Sequence, residues 1–365
     1  MTIKDLAYSA HQHLQNSTGN TIKRAHVYEL FAAAFGFKSY AAFCVDAVLA
    51  ESDFYNSEEN IQGSFLAQRF LELGYQSDLA KVVAMELQSF LMMRQISCLT
   101  IPALISELRS RVLSDYDYYD DEIDIPYDEA DPVLVSCLEH LANKGSAQAH
   151  YALALVYATG SEDHMKSGSD YWYSQAQQGC VLTGAQKAFA DSYANYFSYT
   201  EKHKYHLREA GRLGSQEALL VLAKRFGDSA FFEQGHHKTV AHPAKVAAIA
   251  EDLGRFADAE FLLVAAAEEG NVDAMLDLIN SYHSNDLIKC WKWVYLSKLV
   301  NRYLTRSNYR AVHEDGSDYD DVGGPLEVVG YDGVSLKSID ESQHTAARLA
   351  AQNLYQQNNL ELRYG

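Results

Sequence analysis

Two groups of histidines are the first residues in this 365-residue chain whose types and spacing suggest chemistry. His203 and His206 in "HKYH" stand one helical turn apart, and His236, His237 and His242 crowd into "GHHKTVAH". Such groups can hold zinc or move protons. A zinc hydrolase, however, needs a closed ligand set and a general base, as in His-Glu-x-x-His, and the chain has none. These histidines are therefore expected on the surface or in the core. There is also no Gly-x-Ser-x-Gly elbow, no Walker phosphate loop and no dinucleotide-binding glycine pattern. The five cysteines, Cys44, Cys98, Cys137, Cys180 and Cys290, are scattered and include no Cys-x-x-Cys. Cys137, Cys180 and Cys290 fall on apolar helix faces or the turns beside them, which makes them packing thiols. An odd, sparse set points to a reducing compartment. No catalytic residue, cofactor or metal is expected.

The acids are unevenly placed. "DYDYYDDEIDIPYDEAD" (115–131) holds nine acids, four Tyr and no base, and "HEDGSDYDD" (313–321) holds five acids and no base. Together they carry 14 of the 19 net negative charges. An EF-hand counted from Asp115 would need Gly at position six and Glu at position twelve; Asp120 and Pro126 stand there, so calcium is not indicated. These segments read either as solvated loops or as a docking strip for a basic partner. In the strip, Asp117, Tyr118, Asp120, Asp121 and Glu122 would supply charge and contact area. A net charge of −19 argues against nucleic acid and against an anionic membrane surface. No apolar run reaches the ~18 residues of a membrane span. "MTIKDLAYSAHQHLQ" lacks the apolar stretch of a secretory signal, so the cytoplasm is expected.

The elements that would position any site repeat. In "GSAQAHYALALVYATG", Ala149, Leu153, Ala154 and Tyr157 occupy one stripe of a helix. The same offsets recur at Ala185, Phe189, Ala190 and Tyr193, at Ala218, Leu222, Ala223 and Phe226, and at Ala274, Leu278, Ile279 and Tyr282. Upstream of each stripe another helix ends on Gly: "CLEHLANKG" at Gly145, "YWYSQAQQG" at Gly179, "HLREAGRLG" at Gly214 and "LLVAAAEEG" at Gly270. Glycine is the residue that best takes the left-handed turn past a helix end. The unit is helix, short turn, helix, with an insertion around "FFEQGHHKTVAHPAK" and a further helix in "KVAAIAEDLGRF".

In spacing, "AHYALALVYATG", "YWYSQAQQG" and "LLVAAAEEGNVDA" resemble the Sel-like repeats, relatives of the tetratricopeptide repeat. The resemblance covers residues 133–300. It implies an all-α fold, an α-solenoid of antiparallel helix pairs whose first helices line a concave groove. By that family's offsets, Tyr151, Lys187, Asp191, Lys224 and Asn280 face the groove, and positions five from the stripe's Leu add Gln148, Glu217, Asp273 and His283. Polar residues of both signs suit a protein or peptide partner. Paired cysteines of the secreted members are not present.

The flanks differ. Residues 1–48 read as a helical module with a break at Gly36, Thr21 and Ser39 capping its helices. It weakly resembles a small helical head found before repeats in some bacterial proteins. Its balance of four bases to three acids does not support DNA binding. Residues 49–114 hold three helices, near 64–74, 78–94 and 102–113, as a bridging bundle or degenerate repeats. The acidic loop follows at 115–132. After the repeats come a Gly-containing acidic loop with a hairpin (301–337) and a capping helix (338–365) that Ser338 and Glu341 would begin. The sequence thus supports a non-enzymatic protein–protein scaffold. Its alternative is a regulatory protein whose acidic loops mimic a polyanion and occupy a basic target.

Overall fold

The computed structural model describes residues 2–51, 61–117, 131–158, 167–313, 316–319, 326–358 and 360, with the backbone alone at 111–117, 238, 239 and 331. Helix dominates, and two short antiparallel sheets accompany it. The chain forms two units, residues 1–222 and 223–365.

The first unit starts with α1 (Ile3–Thr18), opened by a capping box in which Thr2 and Asp5 bond each other's backbone N–H. Ile3, Leu6, Ala7, Ala10 and Leu14 form its buried stripe. α2 (Arg24–Ala34) starts after Lys23, without a side-chain cap from Thr21. Ser39 does cap α3 (Tyr40–Asp46) through the Ala42 N–H. The helical module expected over residues 1–48 keeps helix only as far as Asp46. The chain there becomes β1 (Ala47–Glu51), which pairs antiparallel with β2 (Ile96–Thr100), Leu49 opposite Cys98. A short apolar run serves a buried strand as well as a helix, and the distant partner decides which. Between the strands lie α4 (Gly63–Glu72) and α5 (Ser77–Met93), and after them α6 (Ile101–Asp117). α1 packs on α5 and on α7 (Pro132–Ala142), and α7 covers β1. The segments 1–48 and 49–114 thus share one sheet and one core.

α7 pairs with α8 (Ala147–Val156) across Gly145, whose φ of +88° is the left-handed turn expected of it. Ala149, Leu153, Ala154 and Tyr157 are all buried. The next unit departs from expectation. After α9 (Ser169–Gln177), α10 runs unbroken from Gly184 to Arg212. It joins the stripe at 185–193 to the helix ending at Gly214, because neither Gly nor Pro interrupts residues 185–210. The first half of α10 therefore has α9 beside it, Ala185 is exposed, and of its stripe only Ala190 is buried. α11 (Gln216–Phe226) follows Gly214 and buries Ala218, Leu222 and Ala223.

In the second unit, α12 (Ala230–Glu233) and a 3-10 turn at His236–Thr239 occupy the expected insertion. α13 (Pro243–Asp252) packs against α14 (Phe256–Glu268), which packs against α15 (Val272–Asp277). α15 continues into a π turn at Leu278–Tyr282. α16 (Leu287–Leu299) packs on α15 and on α17 (Glu341–Gln357). Between them β3 (Asn308–Val312) and β4 (Glu327–Tyr331) form an antiparallel pair. Asp340 and Gln343, not Ser338 and Glu341, form the capping box of α17. No helix among the described residues is long and apolar enough to cross a membrane.

Candidate functional site: a cleft at Arg109

Three segments of the first unit converge on a cleft of about 460 Å³. α6 contributes Pro102, Ile105 and Arg109. α8 contributes its first turn with Gln148 and Tyr151, and the turn into α11 contributes Leu213 to Glu217. The sequence places each of them. Ile101, Leu104, Ile105 and Leu108 bury one face of α6, and Arg109 stands four residues after Ile105 at the edge of that face. Ser146 caps α8 by accepting from the Ala149 N–H, and Ser215 caps α11 by accepting from the Ala218 N–H. Two capped helix starts therefore open on one cleft.

Arg109 is its polar centre. Nε and Nη2 donate to the Tyr151 hydroxyl at 3.3 and 3.2 Å, and Nη2 also pairs with the Glu217 carboxylate. Tyr151 is only 5% exposed, and burial raises its pKa, so it stays a neutral phenol that accepts from Arg109. Burial opposes the charge on Arg109, but the bonds to Tyr151 and the charge of Glu217 outweigh it and raise its pKa. Glu217 lies in the first turn of α11, where the helix dipole favours a carboxylate. It is exposed, and so is the ion pair's outer side; such a pair is weak and exchangeable. The arrangement recognises polar groups; nothing in it is placed as a nucleophile with a base.

The cleft brings together Gln148, Tyr151 and Glu217 from the expected groove. Tyr151 is a wall of it rather than an exposed contact. Lys187 and Asp191 are exposed on α10 and pair with each other. Lys224, Asp273 and Asn280 are exposed in the second unit. His283 is a correction: at 5% exposure it is a core residue, bonded to Trp293 and Glu260. The π turn adds a residue to the last helical turn and moves the inward position from Tyr282 to His283. Asp117 ends α6 with its side chain outside the described residues, where Tyr118, Asp120, Asp121 and Glu122 also lie. Arg109 was not among the residues expected; its signal is a charge four residues beyond a core Ile.

Other reactive groups are held quiet. Cys44, Cys98, Cys137 and Cys290 are buried, whereas Cys180 is exposed, contrary to the packing role expected of it. Burial pushes the Cys137 thiol up to about 12 and raises Cys44 and Cys290 as well. Among the described residues no group of three or more His, Cys, Asp or Glu is arranged to hold a metal ion. No protein-family model, curated protein or solved structure matches the chain.

Proposed function

We propose that this chain is a non-enzymatic scaffold of helix pairs, akin to Sel-like and tetratricopeptide repeats, that holds a segment of a protein or peptide partner at the Arg109 cleft. The observation that carries the reading is the convergence of Arg109, Tyr151 and Glu217 from three separate elements on one cleft. Its walls mix apolar Pro102, Ile105 and Leu213 with a few aimed polar groups, the pattern of a recognition site. A bound segment would take over the guanidinium contact that Glu217 makes. The repeat relationship is supported by the left-handed glycines closing helices at Gly145, Gly179, Gly214 and Gly270. Five cysteines with no disulfide suit a reducing compartment, and we place the protein in the cytoplasm.

The test is affinity capture from the native cell with wild-type chain, Arg109→Ala, Tyr151→Phe and Lys187→Ala, at low and at moderate salt, with quantitative mass spectrometry. Lys187 lies outside the cleft and is the control. Proteins retained at moderate salt by wild type and Lys187→Ala, but lost several-fold by Arg109→Ala and Tyr151→Phe, would support the cleft. Identical protein sets from all four would sink it.

A further inference from the structure

α8 and the C-terminal half of α10 are joined by histidines as well as by carbon. Nδ1 of His150 lies 3.0 Å from Nδ1 of His206, and His150 is 7% exposed. The Tyr157 ring lies nearly parallel to His206 at 5.8 Å, and the Tyr205 ring meets it edge-on at 5.0 Å. One turn earlier on α10, the buried His203 bonds the Ala154 carbonyl of α8 at 2.6 Å.

Two like nitrogens at this distance share a single proton. In the neutral pair one ring donates from Nδ1 and the other accepts there. A further proton on the pair puts a cation in a part-buried seam beside Lys202. A second puts two cations within 3.0 Å, N–H facing N–H.

The surrounding charges relieve this only in part. On α10, Lys202 and His203 face His206, and Arg212 faces His150. Glu209 is the acid that faces both rings, and it is already paired with Arg212 at 2.8 Å. On α7, Glu139 lies toward Tyr157, and α6 reaches α8 through Arg109 at Tyr151.

We propose that the His150–His206 pair is an acid-sensitive latch that holds α8 against α10 at neutral pH and lets them part on acidification. α8 carries Gln148 and Tyr151, and Leu213 follows directly on α10, so the parting seam would loosen two walls of the cleft and release its occupant. That last consequence rests on the cleft being the binding site; the opening itself does not. Burial first, then His150 and Lys202, lower the His206 pKa to about 4. His150 is lowered too, chiefly by burial. An opened, solvated histidine titrates near 6.5. The open state thus binds more protons than the closed one between those values. The latch is at full strength above about pH 6.5 and weakens as pH falls toward 4.

The experiment is hydrogen–deuterium exchange of the full chain at pH 7.5 and pH 5, corrected for the intrinsic pH dependence of exchange. Peptides covering 147–157 and 201–212 are compared with 63–93 as an internal reference. Wild type is expected to lose protection in the seam about tenfold or more at pH 5, while 63–93 holds. His206→Asn keeps a donor toward His150 without titrating, and His150→Gln keeps both an acceptor and a donor. Either variant, whichever is the better folded at pH 7.5, should show less than half of the wild-type loss on a logarithmic scale. An equal loss in the variants, or no selective loss in wild type, overturns the latch. The measurement needs no occupant, so its failure would leave the cleft reading standing. Failure of the capture experiment would likewise leave the latch standing.

Discussion

Gly211, near the end of α10, lies against Leu219 of α11 with no room for a methyl group between them. A Cβ there would stand 2.5 Å from Leu219 Cδ2 and 2.9 Å from Cγ. The contact sets how tightly the two helices fold back around Gly214, and therefore where Ser215, Gln216 and Glu217 sit in the cleft.

Gly211→Ala tests that geometry. Within a helix the substitution alone would stabilise by about 1 kcal/mol. Here the overpacking cost of about 1–3 kcal/mol opposes it, and since Cγ as well as the mobile Cδ2 is in the way, the cost should win. A lowered urea midpoint is the expected result. Gly211→Ala combined with Leu219→Ala should recover part of the loss, and an unchanged or raised midpoint in the single variant would refute the tight contact.

Asp131 joins two elements that are far apart in sequence. One carboxylate oxygen accepts from the Val133 N–H at 2.8 Å and caps α7; the other accepts from the Glu51 N–H at 2.5 Å at the end of β1. Asp131→Ala removes both. The cap is worth about 0.5–2 kcal/mol, and the stranded Glu51 N–H adds about 1 kcal/mol more. Asp131→Asn keeps one oxygen acceptor and should lose less. Urea denaturation of the three proteins would order them wild type, Asn, Ala; an alanine variant as stable as wild type would show that the junction contributes nothing.

These contacts mark where the sequence was legible. Glycine chemistry is local, so Gly145, Gly179, Gly214 and Gly270 announce helix ends that the structure contains, with φ between +87° and +99°. β1 is not local: "AVLA" is committed to a strand by residues 96–100, half a hundred positions away. Repeat spacing alone asks for a turn between Tyr193 and Leu207, and the intervening residues carry no breaker. In the cleft, Gln148, Tyr151 and Glu217 followed from repeat offsets. Arg109 lies on a helix outside the repeat pattern, so no offset pointed to it. The π turn displaced His283 because a single extra residue rotates every later position by about 100°.

The thiols should divide sharply in reactivity. At pH 8 a small alkylating reagent is expected to modify Cys180 at once, since it is exposed. Cys137, with its pKa near 12 and its side chain buried, should remain unmodified until the chain unfolds. Peptide mass spectrometry after short exposure, with and without urea, reads this directly. Early labelling of Cys137 in the native protein would mean that α7 leaves β1 far more often than the packing implies.

His283 closes the core of the second unit with four bonds. Its N–H donates to the Leu278 carbonyl at 2.6 Å to complete the π turn, and its carbonyl accepts from the Cys290 thiol at 3.0 Å. Its ring accepts from Trp293 Nε1–H at 3.1 Å through Nδ1, and Nε2–H donates to Glu260 at 3.0 Å. Trp293 is fully buried, so His283→Ala leaves its indole N–H without a partner and opens a cavity beside it. The unsatisfied donor alone costs about 1–3 kcal/mol, and the missing ring adds to that. His283→Gln, whose side-chain oxygen reaches toward the indole, should recover some of the loss. If His283 instead faced a binding groove, alanine would leave stability within about 0.5 kcal/mol of wild type. Chemical denaturation of the two variants therefore decides between a core residue and a contact residue at this position.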